Sequence, residues 1–320
     1  MKKRFLIVGD NHIDNKVPMY RVDNYLETSL EELKETLIIA TAAKADYYVL
    51  LGDVFNRIEV SGDCRNKVIK TFASNNGVPW NFKKYCIVGN HDIAHNPDYL
   101  EKSALTSVFY GGDVECVEKL PDLPVRFFHF EPNLDEKLRK GELENYDDEI
   151  LFLHASIVDK PARFEHVLFD DLKLHSNTKL VISGHIHGQM QAINRRGAKF
   201  INPGSVGRTE TSERHQPQVL LLEYDFEKHT YETVLLQLKN SLPYDLIFDI
   251  EKSTQKKEED KNTQMFLEAV TSTDFSDNLT GNLENDFRIF ADKRQVENII
   301  TNIVIDTMRL VKTGGHLDEL

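Results

Sequence analysis

Residues 4–8, 47–51, 85–88, 150–153 and 180–183 are short, mostly apolar runs, each stopped by a glycine or a histidine. Unbroken apolar runs of this length, bounded by turn residues, predict buried strands. Between the first two, Leu26, Leu30, Leu33, Leu37 and Ala40 recur at helical spacing, with Glu31, Glu32 and Glu35 assigned to the opposite face. Residues 65–73 also read as helical. Strands alternating with helices predict an α/β layered domain, whose sites gather at the carboxyl ends of the strands.

The texture changes after His187. Residues 191–195 and 199–201 flank Arg196-Gly197 and predict a β-hairpin. Residues 219–224 and 231–238 alternate like antiparallel strands and are expected to complete a second sheet. Residues 246–250 are a further strand candidate. The polar stretch 251–264 reads as a linker or a surface helix end, and 287–290 as a strand. Val296, Ile299, Ile300, Ile303, Ile305, Met308 and Leu310 make the last predicted helix strongly apolar. This shift in composition divides the chain into 1–240 and a small α+β appendage, 241–320.

With 40% hydrophobic and 28% charged residues, the composition is that of a soluble globular protein. No apolar segment is long enough for a signal peptide or a membrane span, so the expected location is the cytoplasm and no membrane partner is expected. Cys64, Cys86 and Cys116 show neither zinc nor disulfide spacing and are expected to be reduced thiols. The net charge of -13 opposes unaided tight binding to nucleic acid, because phosphate affinity comes largely from Lys and Arg. The basic groups Lys83-Lys84, 137–140 and Arg195-Arg196 read as solvated surface.

Just past the five apolar runs lie Gly9-Asp10-Asn11-His12, Gly52-Asp53, Gly89-Asn90-His91-Asp92, His154 and Gly184-His185-Ile186-His187. Taken singly, each has a plain explanation as a turn or a satisfied histidine. All five at strand ends supply a mixture of carboxylate, amide and imidazole donors that suits a pair of divalent transition ions. Asp10 and His12 stand two apart and so can face one ion; His185 and His187 share that spacing, with His187 assigned to the ion of His12 and His185 to that of His154. A carboxylate can bridge two ions, which makes Asp53 the natural bridge. Asn90 adds an amide oxygen without charge. Two ions roughly 3.5–4 Å apart lower the pKa of a shared water toward neutral and favour in-line hydrolysis at phosphorus. His91 beside Asn90 suits protonation of the leaving oxygen, and Asp92 is expected to orient its ring. The other histidines, including His95, His129 and His215, lack such partners and are assigned to surface or core.

In these residues the chain resembles the calcineurin-like metallophosphoesterase superfamily over residues 4–238, with all five motifs in order. The resemblance implies an α/β fold in which a two-sheet β-sandwich is flanked by helices. It also implies a two-metal site in which Asp10, His12, Asp53 and His187 hold one ion, and Asp53, Asn90, His154 and His185 the other. His91 matches the catalytic histidine, and Asn202-Pro203-Gly204-Ser205 resembles a structural turn beneath the site. Within the superfamily the chain is most similar to SbcD/Mre-type DNA nuclease subunits, including phage-encoded ones. That similarity implies manganese, exonuclease and endonuclease action on ends of duplex DNA, a homodimer and an SbcC-type ATPase partner, in repair, recombination or replication. The ATPase would then carry most of the contact with DNA, and the last helix would offer an apolar face to a partner.

Three departures stand out: Ile13-Asp14 after His12, Asn56 three residues past Asp53, and Ala155 after His154. None removes a proposed ligand. The competing functions are a small-molecule or cyclic-nucleotide phosphodiesterase on the same scaffold and a non-catalytic scaffold. Phe55-Asn56-Arg57 and His91-Asp92 disfavour a protein phosphatase.

Overall fold

In the computed structural model of the protein, the described residues are 1–194, 197–271, 283–293 and 295–312. Arg195 and Arg196, a basic pair at the expected hairpin turn, lie outside them. The chain divides into two compact units, Met1–Asp249 and Ile250–Leu320.

The first unit holds two five-stranded sheets. Its strands are β1 (Lys2–Val8), β2 (Tyr47–Leu50), β3 (Lys83–Cys86), β4 (Val125–Phe128), β5 (Ile150–His154), β6 (Leu180–Gly184), β7 (Met190–Ile193), β8 (Lys199–Asn202), β9 (Gln218–Asp225) and β10 (Thr230–Gln237). One sheet runs β10-β9-β1-β2-β3 and the other β7-β8-β6-β5-β4. In the first, β1, β2 and β3 are parallel while β9 lies antiparallel to β1, with Leu6 opposite Leu221. In the second, β4, β5, β6 and β8 are parallel, and β7 returns antiparallel along β8. β9 and β10 therefore extend the first sheet rather than completing the second, which is closed instead by the hairpin β7–β8 and by β4, a strand not expected from the sequence. Alternating patterns say that a strand has two unlike faces, not which strand it pairs with.

Between the sheets pack Phe5, Ile7, Val49 and Leu51 against Phe127, Phe152, Leu180 and Ile182. The alternate residues Leu6, Val8, Tyr48 and Leu50 face the outer side, where α1 (Tyr25–Ala42), α2 (Gly62–Ala73) and α3 (Ala104–Tyr110) cover them. Leu151, Leu153, Val181 and Phe200 are covered on the far side by α4 (Leu134–Lys140) and neighbouring loops. Both faces of each central strand are thus buried, which is why these strands read as unbroken apolar runs.

On α1, Leu30, Leu33, Leu37 and Ala40 are buried as expected, but so are Glu32 and Glu35. Glu35 accepts from the backbone of Lys239 and Asn240 at 2.7 and 3.0 Å, and Glu32 from Ser241 Oγ at 2.6 Å. These bonds satisfy the buried carboxylates and fasten the segment after β10 to the helix. The segment 246–250 is not a strand. α5 (Tyr244–Ile247) forms there, and Phe248 makes one isolated bridge to Arg21.

Among its described residues the second unit is helical: α6 (Ile250–Thr271), α7 (Leu283–Lys293) and α8 (Asn298–Lys312). The stretch 251–264 belongs to α6. The strand expected at 287–290 is part of α7, because Phe287 and Ala291, one helical turn apart, are both buried while Arg288 and Ile289 are exposed. The appendage is therefore not α+β over these residues. Phe287, Ala291 and Ile305 form its small core, and Ile299 and Ile303 on α8 are exposed. All three cysteines are free thiols, and no helix among the described residues is long and apolar enough to cross a membrane.

Candidate metal centre

The seven candidate ligands and His91 converge just past the ends of β1, β2, β3, β5 and β6. Three groups have their ligand atoms within 4.8 Å of one another: Asp10, His12 and His187; Asp53, His154 and His185; and His12, Asp53 and His91. Asp53 joins the second group to the third, and His12 the third to the first.

The backbone is strained around this point. His12, Asp53 and His185 have φ of 50°, 47° and 78°, a region that non-glycine residues rarely occupy. Tertiary bonds hold them there. The Asp53 carbonyl accepts from the backbone N–H of Asn11 and His12 at 3.0 and 2.9 Å, and the His12 carbonyl accepts from Tyr25 Oη at 2.5 Å. Close approach fixes the glycines as well. A Cβ on Gly52 (φ 101°) would stand 2.4 Å from His154 Nδ1, and one on Gly89 would stand 2.1 Å from Asp53 Oδ1.

Hydrogen bonds set which atom of each side chain faces the centre. Asp53 Oδ1 accepts from the backbone N–H of His91 at 2.8 Å. Its Oδ2 is left 3.4 Å from His154 Nε2 and 3.9 Å from His12 Nε2, between the two imidazoles. His154 Nδ1 donates to the Leu51 carbonyl at 2.7 Å, so its Nε2 carries the inward lone pair when neutral. Asn90 Oδ1 lies 2.8 Å from both His154 Nε2 and His185 Nδ1. Asp10 accepts from the His185 backbone at 3.0 and 3.2 Å. His187 pairs through Nδ1 with Glu213, and its Nε2 lies 2.8 Å from His12 Nε2.

With Asp10, these two imidazole nitrogens are close enough to share one cation. Burial opposes a charge on His154 and His187, yet Asp53 and Asp10 around the first, and Glu213 and Asp10 around the second, raise each to about 9. Burial lowers His12 well below its ordinary value and, with His154 nearby, takes His185 down to about 3. Burial lifts the Asp10 carboxyl to about 6, with Asp53 adding to it. Burial pushes Asp53 the same way, but His154, His12 and His91 outweigh it and hold that carboxyl well below the carboxylate range. The converging oxygen and nitrogen donors fit a pair of divalent ions.

His91 is half-buried, its ring 4.8 Å from that of His12. Asp92 does not orient it. Asp92 instead accepts from the backbone of Phe55 at 3.1 Å and Gly89 at 3.0 Å, stapling two site loops together, and burial with Asp53 nearby pushes its carboxyl up to about 7. The His91 ring is held through Nδ1 by the Asn56 carbonyl at 2.9 Å. This support comes from the main chain of Asn56 and does not depend on its side chain. The turn 202–205 does sit beneath the site: Asn202 Nδ2 donates to the Ile186 carbonyl at 2.6 Å, and the Ser205 N–H to the His187 carbonyl at 3.2 Å. Glu213 was not anticipated, since no motif surrounds it. Phe130 was missed too; its ring packs 6.3 Å from those of His154 and His185.

Residues 3–189 match the calcineurin-like phosphoesterase family, and the chain belongs to it. It is thus a phosphoesterase of a superfamily whose members bind dinuclear metal centres, and the groups above are its candidate ligands. Among solved structures it is similar to a dimetal phosphatase from Danio rerio, at 14% identity and TM-score 0.46, covering 73% of this chain and 98% of that one. A protein from Thermus thermophilus aligns at 14% identity and TM-score 0.42 over 73% of this chain and 99% of its own. A calcineurin-like phosphoesterase from Bacillus subtilis aligns at 14% identity and TM-score 0.42, covering 74% and 90%. These likenesses carry no inference about substrate. No curated protein matches the sequence.

Proposed function

We propose that this chain is a two-metal phosphodiesterase that cleaves DNA, the nuclease subunit of an SbcCD-like complex. The observation that carries the two-metal part is the placement of Asp53 Oδ2 between His154 Nε2 and His12 Nε2. Asp10, His12 and His187 would hold one ion, and Asn90, His154 and His185 the other, with Asp53 shared. The ions, proposed to be manganese, would supply an activated water and neutralise charge on the phosphoryl oxygens. The chain's own part is to fix the donors and to present His91. With Nδ1 engaged by Asn56, its Nε2 is the atom available to protonate a leaving oxygen.

DNA as substrate is supported by the sequence motifs and their resemblance to SbcD/Mre-type subunits. A net charge of -13 leaves much of the phosphate contact to the proposed ATPase partner. The exposed Ile299 and Ile303 of α8 are the proposed contribution of the C-terminal unit to that partner or to a homodimer. The cytoplasm is the proposed location.

The test is incubation of the purified chain with linear duplex DNA in manganese, magnesium or chelator, with and without a candidate ATPase, beside bis- and mono-nitrophenyl phosphate. Manganese-dependent shortening of DNA and preference for the diester are expected. Hydrolysis of small diesters or cyclic nucleotides without DNA cleavage would replace the nuclease with a small-molecule phosphodiesterase. No metal uptake and no hydrolysis would leave a scaffold.

A further inference from the structure

Glu213 is a buried carboxylate beyond the residues that match the family. One oxygen, Oε1, pairs with His187 Nδ1. The other, Oε2, accepts from the backbone N–H of Thr209 at 2.5 Å and of Glu210 at 2.9 Å. The loop that carries it is pinned along its length. Arg208 donates to Ser241 Oγ at 2.8 Å and to the Leu242 carbonyl at 2.6 Å, and its own carbonyl accepts from Arg21 at 2.5 Å. Tyr244 Oη donates to the Thr211 carbonyl at 2.6 Å, and His215 Nε2 lies 3.0 Å from the Ser205 carbonyl. The Glu213 carboxylate is therefore held through both oxygens.

A carboxylate has no proton to give when ionised, so its partner nitrogen on His187 must be the one that carries hydrogen. In the neutral ring that a metal ion needs, this leaves Nε2, the nitrogen facing His12, with the lone pair. We propose that Glu213 is the positioning residue of the half-site formed by Asp10, His12 and His187, holding the His187 ring in the tautomer that can ligate a metal ion. This rests on the metal-centre reading above. It makes the segment 205–215 part of the centre, although no candidate ligand lies in it.

Glu213→Gln separates positioning from simple loop stapling. The glutamine oxygen can still accept from the Thr209 and Glu210 N–H groups, which keeps the loop in place. Its amide NH₂ then faces His187 Nδ1 and can only donate. That forces Nδ1 to accept and moves the ring proton to Nε2, where it blocks the metal. A structural role predicts that glutamine is benign, whereas a positioning role predicts that it disables one half-site.

The experiment is manganese binding to the full chain, wild type and Glu213→Gln, by calorimetry and by electron paramagnetic resonance of free manganese, with melting curves in chelator. The expected result is two sites in both proteins, one dissociation constant raised about 10–100-fold in the variant, the other unchanged, and an unchanged metal-free melting temperature. Wild-type constants at both sites in the variant would overturn the proposal. Absence of metal binding by the wild type would instead overturn the metal-centre reading. Should the variant fold poorly, the ring nitrogens of His187 are read by ¹⁵N nuclear magnetic resonance in the zinc-loaded wild type. A proton on Nδ1 supports the assignment, and a proton absent from Nδ1 refutes it.

Discussion

Replacing Gly89 by alanine tests how tightly the centre is packed around its shared carboxylate. The new Cβ would stand 2.1 Å from Asp53 Oδ1, 2.3 Å from the Asp53 backbone nitrogen and 2.8 Å from Asp53 Cγ. Real Cβ contacts essentially never fall below 3.0 Å, so the carboxylate must retreat by about 0.9 Å. The Asp53 backbone nitrogen must give way as well, against its carbonyl's bonds to Asn11 and His12, which hold Asp53 at φ 47°. The retreat breaks the 2.8 Å bond from the His91 N–H and moves Oδ2 away from the imidazoles at 3.4 and 3.9 Å. A misplacement of about 1 Å in a reacting constellation costs about 10²-fold in rate, or about 2.7 kcal/mol. Overpacking of this kind also costs about 1–3 kcal/mol of stability. The assay is kcat for bis-nitrophenyl phosphate at saturating manganese, measured well below the melting transition, beside a melting curve. Gly62→Ala is the control, since its Cβ would meet nothing within 4 Å. Gly89→Ala with wild-type kcat would refute the claim that Asp53 must sit where it does.

His91→Ala is expected to lower kcat by about 10²–10⁴-fold while both metal sites still fill, and unchanged turnover on a substrate with a poor leaving group would contradict its role. Asp92→Ala leaves the buried N–H groups of Phe55 and Gly89 without their acceptor, at about 1–3 kcal/mol for each; equal denaturant midpoints for variant and wild type would count against this. In chelator, stability should fall as pH rises. His154 and His187, raised to about 9 against an unfolded value of about 6.5, stabilise fully below that lower value and cease to do so as pH passes about 9. Below that window Asp10, raised to about 6, acts in the same direction, while His12 and His185, lowered by burial, oppose it. Calorimetric melting between pH 6.5 and 9 checks the sign, and a metal-free melting temperature that climbs over this range would show it wrong. Metal uptake at neutral pH should accordingly release protons into a weak buffer.

The central strands were legible because burial on both faces leaves unbroken apolar runs such as Phe5 to Val8, and a glycine or a histidine marks where each run stops. The candidate ligands were legible because they follow those stops. What the sequence hid depends on partners far along the chain. Nothing in residues 219–224 shows that they pair with β1 rather than with β6. Glu32 and Glu35 look like solvent-facing acids until Ser241 Oγ reaches the first and the N–H groups of Lys239 and Asn240 reach the second. Phe287 fits a strand or a helix until Ala291, one turn on, is seen to share its core. The support of His91 comes from a backbone carbonyl, which no side-chain pattern can encode, and Glu213 is one acid among 52 acidic residues. Motif spacing thus pointed to the candidate ligands, whereas what holds those residues in place emerged only from the folded chain.

The most direct measurement is electron paramagnetic resonance of the purified chain loaded with manganese, with Asp53→Asn beside it. A carboxylate shared between two half-sites predicts two ions per chain and the many-line spectrum of an exchange-coupled pair, lost in the variant. One ion per chain, or two that give the six-line spectrum of isolated manganese, would contradict it.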